Sequence, residues 1–287
     1  GSSLGNFSQT TDYFHDIVRE NPSEISPMQS YDVALNSSIN YASVVYKIKG
    51  FARTISSGFT SGIDAIGNAH KLIQKGKANV IIAGGFEQIS FDLYMIFLMR
   101  KMLAGSHGTD KEISMPFDKR RNGFIMSEGS YVFIMENLEF ALSRGARIYG
   151  EISGFATIFA GNKMYHTGKR IEKAKVAMQK CLDDANLSIH DVDLINANGN
   201  SGDVSDLIEA KAIGELFETG DKEIPVYAVK SVVGECYGAS GAMQTAAAVL
   251  SIHNSLVPPT INYEEKDPEC DVNITKEKQV RDINTAL

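Results

Sequence analysis

The residues best placed to do chemistry lie around a short turn, Gly58-Phe59-Thr60-Ser61-Gly62, where a strand-like stretch passes into a helix-like one. The first N–H groups of a helix lack intrahelical partners, and the dipole there favours negative charge. Such a turn is where a nucleophile or an oxyanion is usually held. Its hydroxyls, Ser56, Ser57 and Ser61, have no histidine base beside them and read as turn and cap residues. Cys236 sits in a second small-residue turn, Gly234-Glu235-Cys236-Tyr237-Gly238. A free cysteine is ordinarily a small buried hydrophobe, and that reading is preferred to a displaced nucleophile. Asp191 and Asp193 are loop and strand-start residues with no metal-ligating partners at sensible spacing.

The elements that must position these residues follow from periodicity. Ala78 to Ala83 is a β-branched run closed by Gly84-Gly85, which predicts a buried strand. Ile63, Ile66 and Ile73 recur at helical spacing, with Thr60 and Ser61 at the N-cap and Gly76 as the stop. Further on, Asp193 to Asn196 reads as a strand end and Asp203 to Phe217 as a helix with Leu207, Ala210 and Ile213 on one face. A strand at Val226 to Val229 follows, then a helix from Ala239 to His253, ahead of Pro258-Pro259. Tyr131 to Glu136 is strand-like, and Phe117 to Gly123 is a charged loop. Strands alternating with helices of ten to fifteen residues predict an α/β protein with largely parallel sheets. Thr54 to Gly62 and Ile195 to Gly202 share a strand–turn–helix look, a hint of internal duplication. No linker or low-complexity tract separates the halves, so they are expected to pack as one body.

Composition narrows the class. The chain has 287 residues, 43% hydrophobic and 22% charged, enough to bury a large core and too apolar for disorder. A net charge of −7 argues against nucleic acid as the main partner. No run of about eighteen uncharged apolar residues occurs, so no membrane span is expected, and the opening residues do not read as a secretory signal. Three widely spaced cysteines, Cys181, Cys236 and Cys270, fit neither a disulfide framework nor a metal site, and a reducing cytoplasm is the expected location.

Six stretches together carry a resemblance: Ser56 to Gly67, Ala83 to Glu87, Pro116 to Gly129, Ile195 to Ser201, Lys230 to Gly241 and Val257 to Asn262. In this order they resemble the β-ketoacyl synthases of the thiolase fold, which extend acyl chains on acyl carrier proteins. The resemblance implies a layered αβαβα architecture of two duplicated halves with mixed, largely parallel five-stranded sheets. Residues 1–150 would be the N-terminal half, incomplete at its start, and 151–287 the C-terminal half, incomplete at its end.

The departures from the family bear on activity. The resemblance places the acyl-carrying cysteine at Phe59, whose phenyl ring has no lone pair with which to attack a thioester. The two histidines that help decarboxylate malonyl and stabilise the enolate fall at Asn198 and Glu235. An amide can still donate a hydrogen bond, whereas a carboxylate beside a developing enolate would repel it. The six histidines (His15, His70, His107, His166, His190, His253) all lie outside these motifs. Lys230 and Glu209 keep the family's residue types as parts of a structural polar network.

The chain therefore looks like a chain-length factor, the inactive partner of an active ketosynthase in type II polyketide synthases, although it lacks the Gln some such factors carry at the nucleophile position. That implies a heterodimer, no cofactor of its own, and an acyl chain on phosphopantetheine presented by an acyl carrier protein. The interface strand would be Phe51-Ala52-Arg53-Thr54-Ile55-Ser56-Ser57. Phe7, Thr11 and Phe14 share one helical face and are candidates, with Phe59, for setting tunnel length; the plainer reading of Phe7 and Phe14 is ordinary core. Lys119, Arg120 and Arg121 read first as a solvated loop or structural ion pairs, and second as a docking site for an acidic carrier. Two competing functions are an autonomous acyltransferase or malonyl decarboxylase with a non-standard site, and a homodimeric acyl-binding or scaffold protein.

Overall fold

The computed structural model describes residues 1–19, 23, 26–106, 108, 111–161, 166–217 and 223–287. In chain order they form α1 (Phe7–Arg19), α2 (Ser37–Val45), α3 (Ser61–Gln74), β1 (Val80–Glu87), α4 (Phe91–Met99), β2 (Gly129–Glu136) and α5 (Leu138–Ser143). Then come α6 (Thr167–Ala185), β3 (Ile195–Asn196), α7 (Asp203–Phe217), β4 (Val226–Tyr227), α8 (Lys230–Val233), α9 (Ser240–Asn254), β5 (Leu256–Val257) and β6 (Gln279–Val280).

Helices and strands mix as expected for the α/β class, and α7 has the predicted ends. The strands pair two by two among the described residues, where five-stranded sheets were expected. β1 and β2 are antiparallel over eight residues, from Val80 opposite Glu136 to Glu87 opposite Gly129. β3 and β4 are parallel, and β5 and β6 antiparallel. Residues 51–57 form no ladder: the backbone bond that this segment accepts comes from Ser2 N–H to the Ile55 carbonyl (3.1 Å). A strand is made by its ladder, so this segment remains outside the strands, with Phe51, Ala52, Arg53, Ser56 and Ser57 exposed.

β1 also runs through Gly84-Gly85, which had read as its stop. A side chain at Gly84 would lie 2.1 Å from the Tyr131 carbonyl oxygen of β2. One at Gly85 would lie 2.9 Å from Gly62 Cα and 3.2 Å from Ala239 Cα. The two glycines thus continue the strand and let α3 and the start of α9 approach its backbone.

α3 and α9 pack together at the centre, with Ile66, Ala69, Ala83 and Ala242 buried between them and β1. The C-terminal core gathers Leu182, Val192, Ile195, Ala210, Ile213 and Val226, together with Phe117 from the 117–123 loop. Each large apolar side chain buried in this way contributes about 1.5–3 kcal/mol. Phe117 is fully buried in the left-handed region (φ 63°), so the charged loop plugs one half into the other.

The internal repeat differs from the one that sequence suggested. Gly58–Thr60 and Tyr237–Ala239 are each a single 3-10 turn, and each runs directly into a helix that begins Ser-Gly. The 195–202 stretch instead leaves β3 through a longer loop.

Candidate functional site

The turn that presents residue 59 is held by its neighbours. Gly58 supplies a left-handed φ of 73°. Ser57 Oγ and Thr60 Oγ1 both donate to Asp64 Oδ2 (2.5 and 2.9 Å), so Thr60 stands at the N-cap position without capping an N–H. Ser61 Oγ donates to the Gly58 carbonyl (2.7 Å) and accepts from Ser57 N–H (3.0 Å). Ser56 Oγ donates to the Ser3 carbonyl (2.9 Å). The serines are therefore turn residues, as their context suggested, but none of them caps the helix, because their hydroxyls bond Asp64 and the carbonyls of Gly58 and Ser3 instead.

Phe59 is half-buried in a cluster of rings. Its centroid lies 4.4 Å from that of Tyr237 in an edge-to-face arrangement, and 6.4 Å from those of Phe97 and Phe124. Leu4, Leu98, Met102 and Met126 pack against the same cluster. Edge-to-face pairs add about 0.5–1.5 kcal/mol beyond their burial. Position 59 is filled by a packed hydrocarbon, with no group able to attack a thioester.

Asn198, Lys230, Glu209 and Glu235 come together in one polar network. Lys230 Nζ donates to Asn198 Oδ1 (2.6 Å) and pairs with Glu235 Oε2 (2.9 Å). Asn200 Nδ2 also donates to Glu235 Oε2 (3.1 Å), and Ser240 Oγ donates to Glu235 Oε1. Glu209 accepts from the backbone N–H of Asn198 (2.6 Å) and of Gly199 (2.8 Å). Burial pushes the Glu209 carboxyl above its ordinary range, against the pull of those two N–H groups. Glu235 is thus no free anion facing an enolate: an ammonium, an amide and a hydroxyl already engage it. A lysine retained five residues before a buried glutamate was the available signal. Asn200, Ser240 and Tyr237 were missed because nothing in their local spacing marks them.

Two further carboxylates lock the surrounding loops. Asp206 accepts from the backbone N–H of Phe117 (2.9 Å), Asn200 (3.0 Å) and Ser201 (3.0 Å), and burial pushes it up to about 7. Asp118, fully buried, accepts from Arg120 Nε (2.8 Å) and from the backbone N–H of Arg120, Glu264 and Glu265 (2.9, 2.7 and 2.8 Å). Burial alone would raise Asp118; the bonds from Arg120 and from these amides outweigh it and hold the carboxyl at about 2.

The basic loop residues are consequently mostly spoken for. Arg120 also reaches Glu264 (2.8 Å), and Arg121 pairs with Asp267 (2.5 Å). These are the structural ion pairs of the first reading, and Lys119 keeps an exposed side chain. Beside the loop opens a cavity of about 370 Å³, lined by Lys111, Met115, Arg120, Asn122 and Asn262 among others.

Of the tunnel candidates, Phe7, Thr11 and Phe14 lie on α1, which buries none of its residues; Phe7 and Thr11 are half-buried and Phe14 is 54% exposed. Phe7 and Phe14 are thus not the ordinary core of the plainer reading, since α1 presents them outside the buried clusters. Cys236 is buried against Ser127 Oγ (3.0 Å) and Met243 Sδ (3.8 Å), and burial raises its thiol, as expected of an inert cysteine. Asp191 accepts from Ser188 in a capping box, and Asp193 accepts from Asn284 and Thr285 N–H. His15, His70, His166, His190 and His253 sit on other elements; His107 lies outside the described residues. Among the described residues no cluster of His, Cys, Asp and Glu could hold a metal, and no helix is long and apolar enough to cross a membrane.

Comparison with known proteins gives the chain's relatives. The model of the β-ketoacyl synthase N-terminal domain matches residues 1–141, and that of the C-terminal domain matches residues 149–264. A putative polyketide beta-ketoacyl synthase 1 of Streptomyces halstedii is 37% identical over 83% of this chain, which spans 57% of that protein. A 3-oxoacyl-(acyl-carrier-protein) synthase 2 of Coxiella burnetii is 32% identical over the whole chain and 70% of its own length. Among solved structures, a type II polyketide synthase acyl-carrier protein in complex with its ketosynthase bound to the hexaketide superposes with a TM-score of 0.91. The two are 27% identical over 99% of this chain and 72% of that one. The ishigamide ketosynthase/chain length factor gives a TM-score of 0.87 at 24% identity, over 98% of this chain and 68% of that one, a likeness of fold alone.

Proposed function

The chain belongs to the β-ketoacyl synthase family, and on that premise we propose that it is a non-catalytic, chain-length-factor-like subunit. It would pair with an active ketosynthase and shape the tunnel that receives the growing acyl chain during decarboxylative condensation on an acyl carrier protein. One observation carries the reading: the Phe59 side chain, at the position the resemblance gives to the family's cysteine, is a hydrocarbon packed among Tyr237, Phe97 and Phe124. Asn198 keeps an amide N–H that could donate to an enolate, but the carboxylate of Glu235, paired with Lys230, offers no donor to replace the second imidazole.

In this reading the sister subunit supplies the nucleophile and the histidines. The exposed 51–57 segment would add as a strand across the pair, where its open backbone groups find partners. α1, with Phe7, Thr11 and Phe14, would face the far end of the tunnel. When room for the next carbon pair runs out, overpacking costs about 1–3 kcal/mol, enough to favour release over extension. The phosphopantetheine arm would bring the acyl chain to the partner's site. Lys119, exposed on the charged loop, is the basic side chain of that loop left to meet an acidic carrier.

The test is co-expression with a ketosynthase, followed by loading with malonyl carrier protein and mass spectrometry of both subunits. Co-purification, with acyl adducts on the ketosynthase alone, is the expected result. An acyl adduct on this chain, or carbon dioxide released by it alone, would replace the proposal with the autonomous acyltransferase or decarboxylase.

A further inference from the structure

Glu87 closes β1 with a carboxylate that is 5% exposed, and among the described residues no basic side chain pairs with it. Its oxygens are instead filled from two segments far apart in the chain. Oε1 accepts from Ser2 Oγ (3.0 Å) and Leu4 N–H (3.3 Å). Oε2 accepts from Ser3 N–H (2.7 Å) and Gly238 N–H (3.1 Å). Ser2 Oγ in turn accepts from Gly5 N–H (2.8 Å), which finishes the turn that runs into α1 at Phe7. Gly238 belongs to the 3-10 turn whose Tyr237 ring lies against Phe59.

We infer that Glu87 is the positioning residue that couples the base of α1 to the ring-filled turn at Phe59 and Tyr237. The tunnel consequence rests on the reading of α1 given above; the coupling does not. α1 buries no residue of its own, so its placement depends on how its first turn is moored. A buried carboxylate is costly unless its acceptor capacity is used, and here three backbone N–H groups and one hydroxyl use it. The site has no slack on the Gly238 side. A Cβ there would fall 2.4 Å from Glu87 Oε2 and 2.5 Å from Ser3 N, so the glycine is what admits the carboxylate between the two segments.

The experiment uses the whole chain and compares hydrogen exchange of wild type and Glu87→Gln in the segments 2–5 and 236–240. Glutamine keeps the volume but turns one acceptor into a donor facing N–H donors. Exchange is expected to rise about tenfold or more in both segments together, with α6 and α7 unchanged. Should that variant fail to fold, Gly238→Ala approaches from the other end: its methyl displaces the carboxylate, and exchange in residues 2–5 is expected to rise although the change lies over 230 residues away. Acceleration confined to the mutated side, or in neither segment, overturns the inference. Product lengths of the assembled complex give a separate readout. Coupled loosening with an altered product distribution supports both ideas, and coupled loosening with unaltered products supports the mooring while defeating the tunnel role of α1.

Discussion

Lys230 Nζ lies 2.9 Å from Glu235 Oε2 across one turn of chain, and each side chain is 1% exposed. The ammonium of Lys230 is thereby already engaged by a carboxylate within the chain. Removing one partner of such a pair strands the other in a low dielectric. Lys230→Met is expected to cost about 3–5 kcal/mol in urea unfolding at neutral pH. Lys230→Met combined with Glu235→Leu should recover at least about 2 kcal/mol of that, since no buried charge is left behind. A double variant no more stable than the single one would show that the pair is not the unit described.

Phe59→Cys restores a thiol to the turn but brings neither imidazole. The expected outcome is no condensation from malonyl carrier protein, followed by mass spectrometry of the products. Phe59→Ala should lower stability by about 2 kcal/mol, below the ~3–5 kcal/mol of a fully buried ring, because Phe59 is half-buried.

Acid should loosen the join between the halves at Asp118. Its folded pKa of about 2 lies below the ordinary value of 3.8, so its contribution is complete above pH 4 and is lost as pH falls from 4 towards 2. The shift corresponds to about 2 kcal/mol. Urea titrations at successive pH values should show this acid limb, and Asp118→Asn should both lower stability at neutral pH and flatten the limb.

If α1 sets tunnel depth, Phe7→Ala and Phe14→Ala should lengthen the products of the assembled complex, read by mass. Phe14 is exposed in this chain, so its removal should change unfolding free energy by no more than about 0.5 kcal/mol. Unchanged products from both variants would remove these residues from the proposal.

Much of the frame was legible because it is local. The ends of α7, the spacing of Ile66 and its neighbours in α3, and the start of α9 all follow from periodicity within one helix. What sequence obscured depends on partners distant along the chain. Gly84-Gly85 reads as a stop until the approaching backbones of Tyr131 and Gly62 are known. Arg120 and Arg121 read as solvated charges or structural ion pairs, and which of the two holds is decided only when Glu264 and Asp267, over 140 residues later, are brought beside them. Glu235 stands out in the sequence, but its hydrogen-bond partners Asn200 and Ser240 arrive from a different loop and the next helix.

The hydroxyl clasp at Ser57, Thr60, Ser61 and Asp64 has a consequence for how such a chain can diverge. None of its bonds passes through the side chain at 59, so the loop keeps its shape whichever residue stands there. Exchanging one side chain for another at that single locus alters what the surface offers while the architecture around it persists.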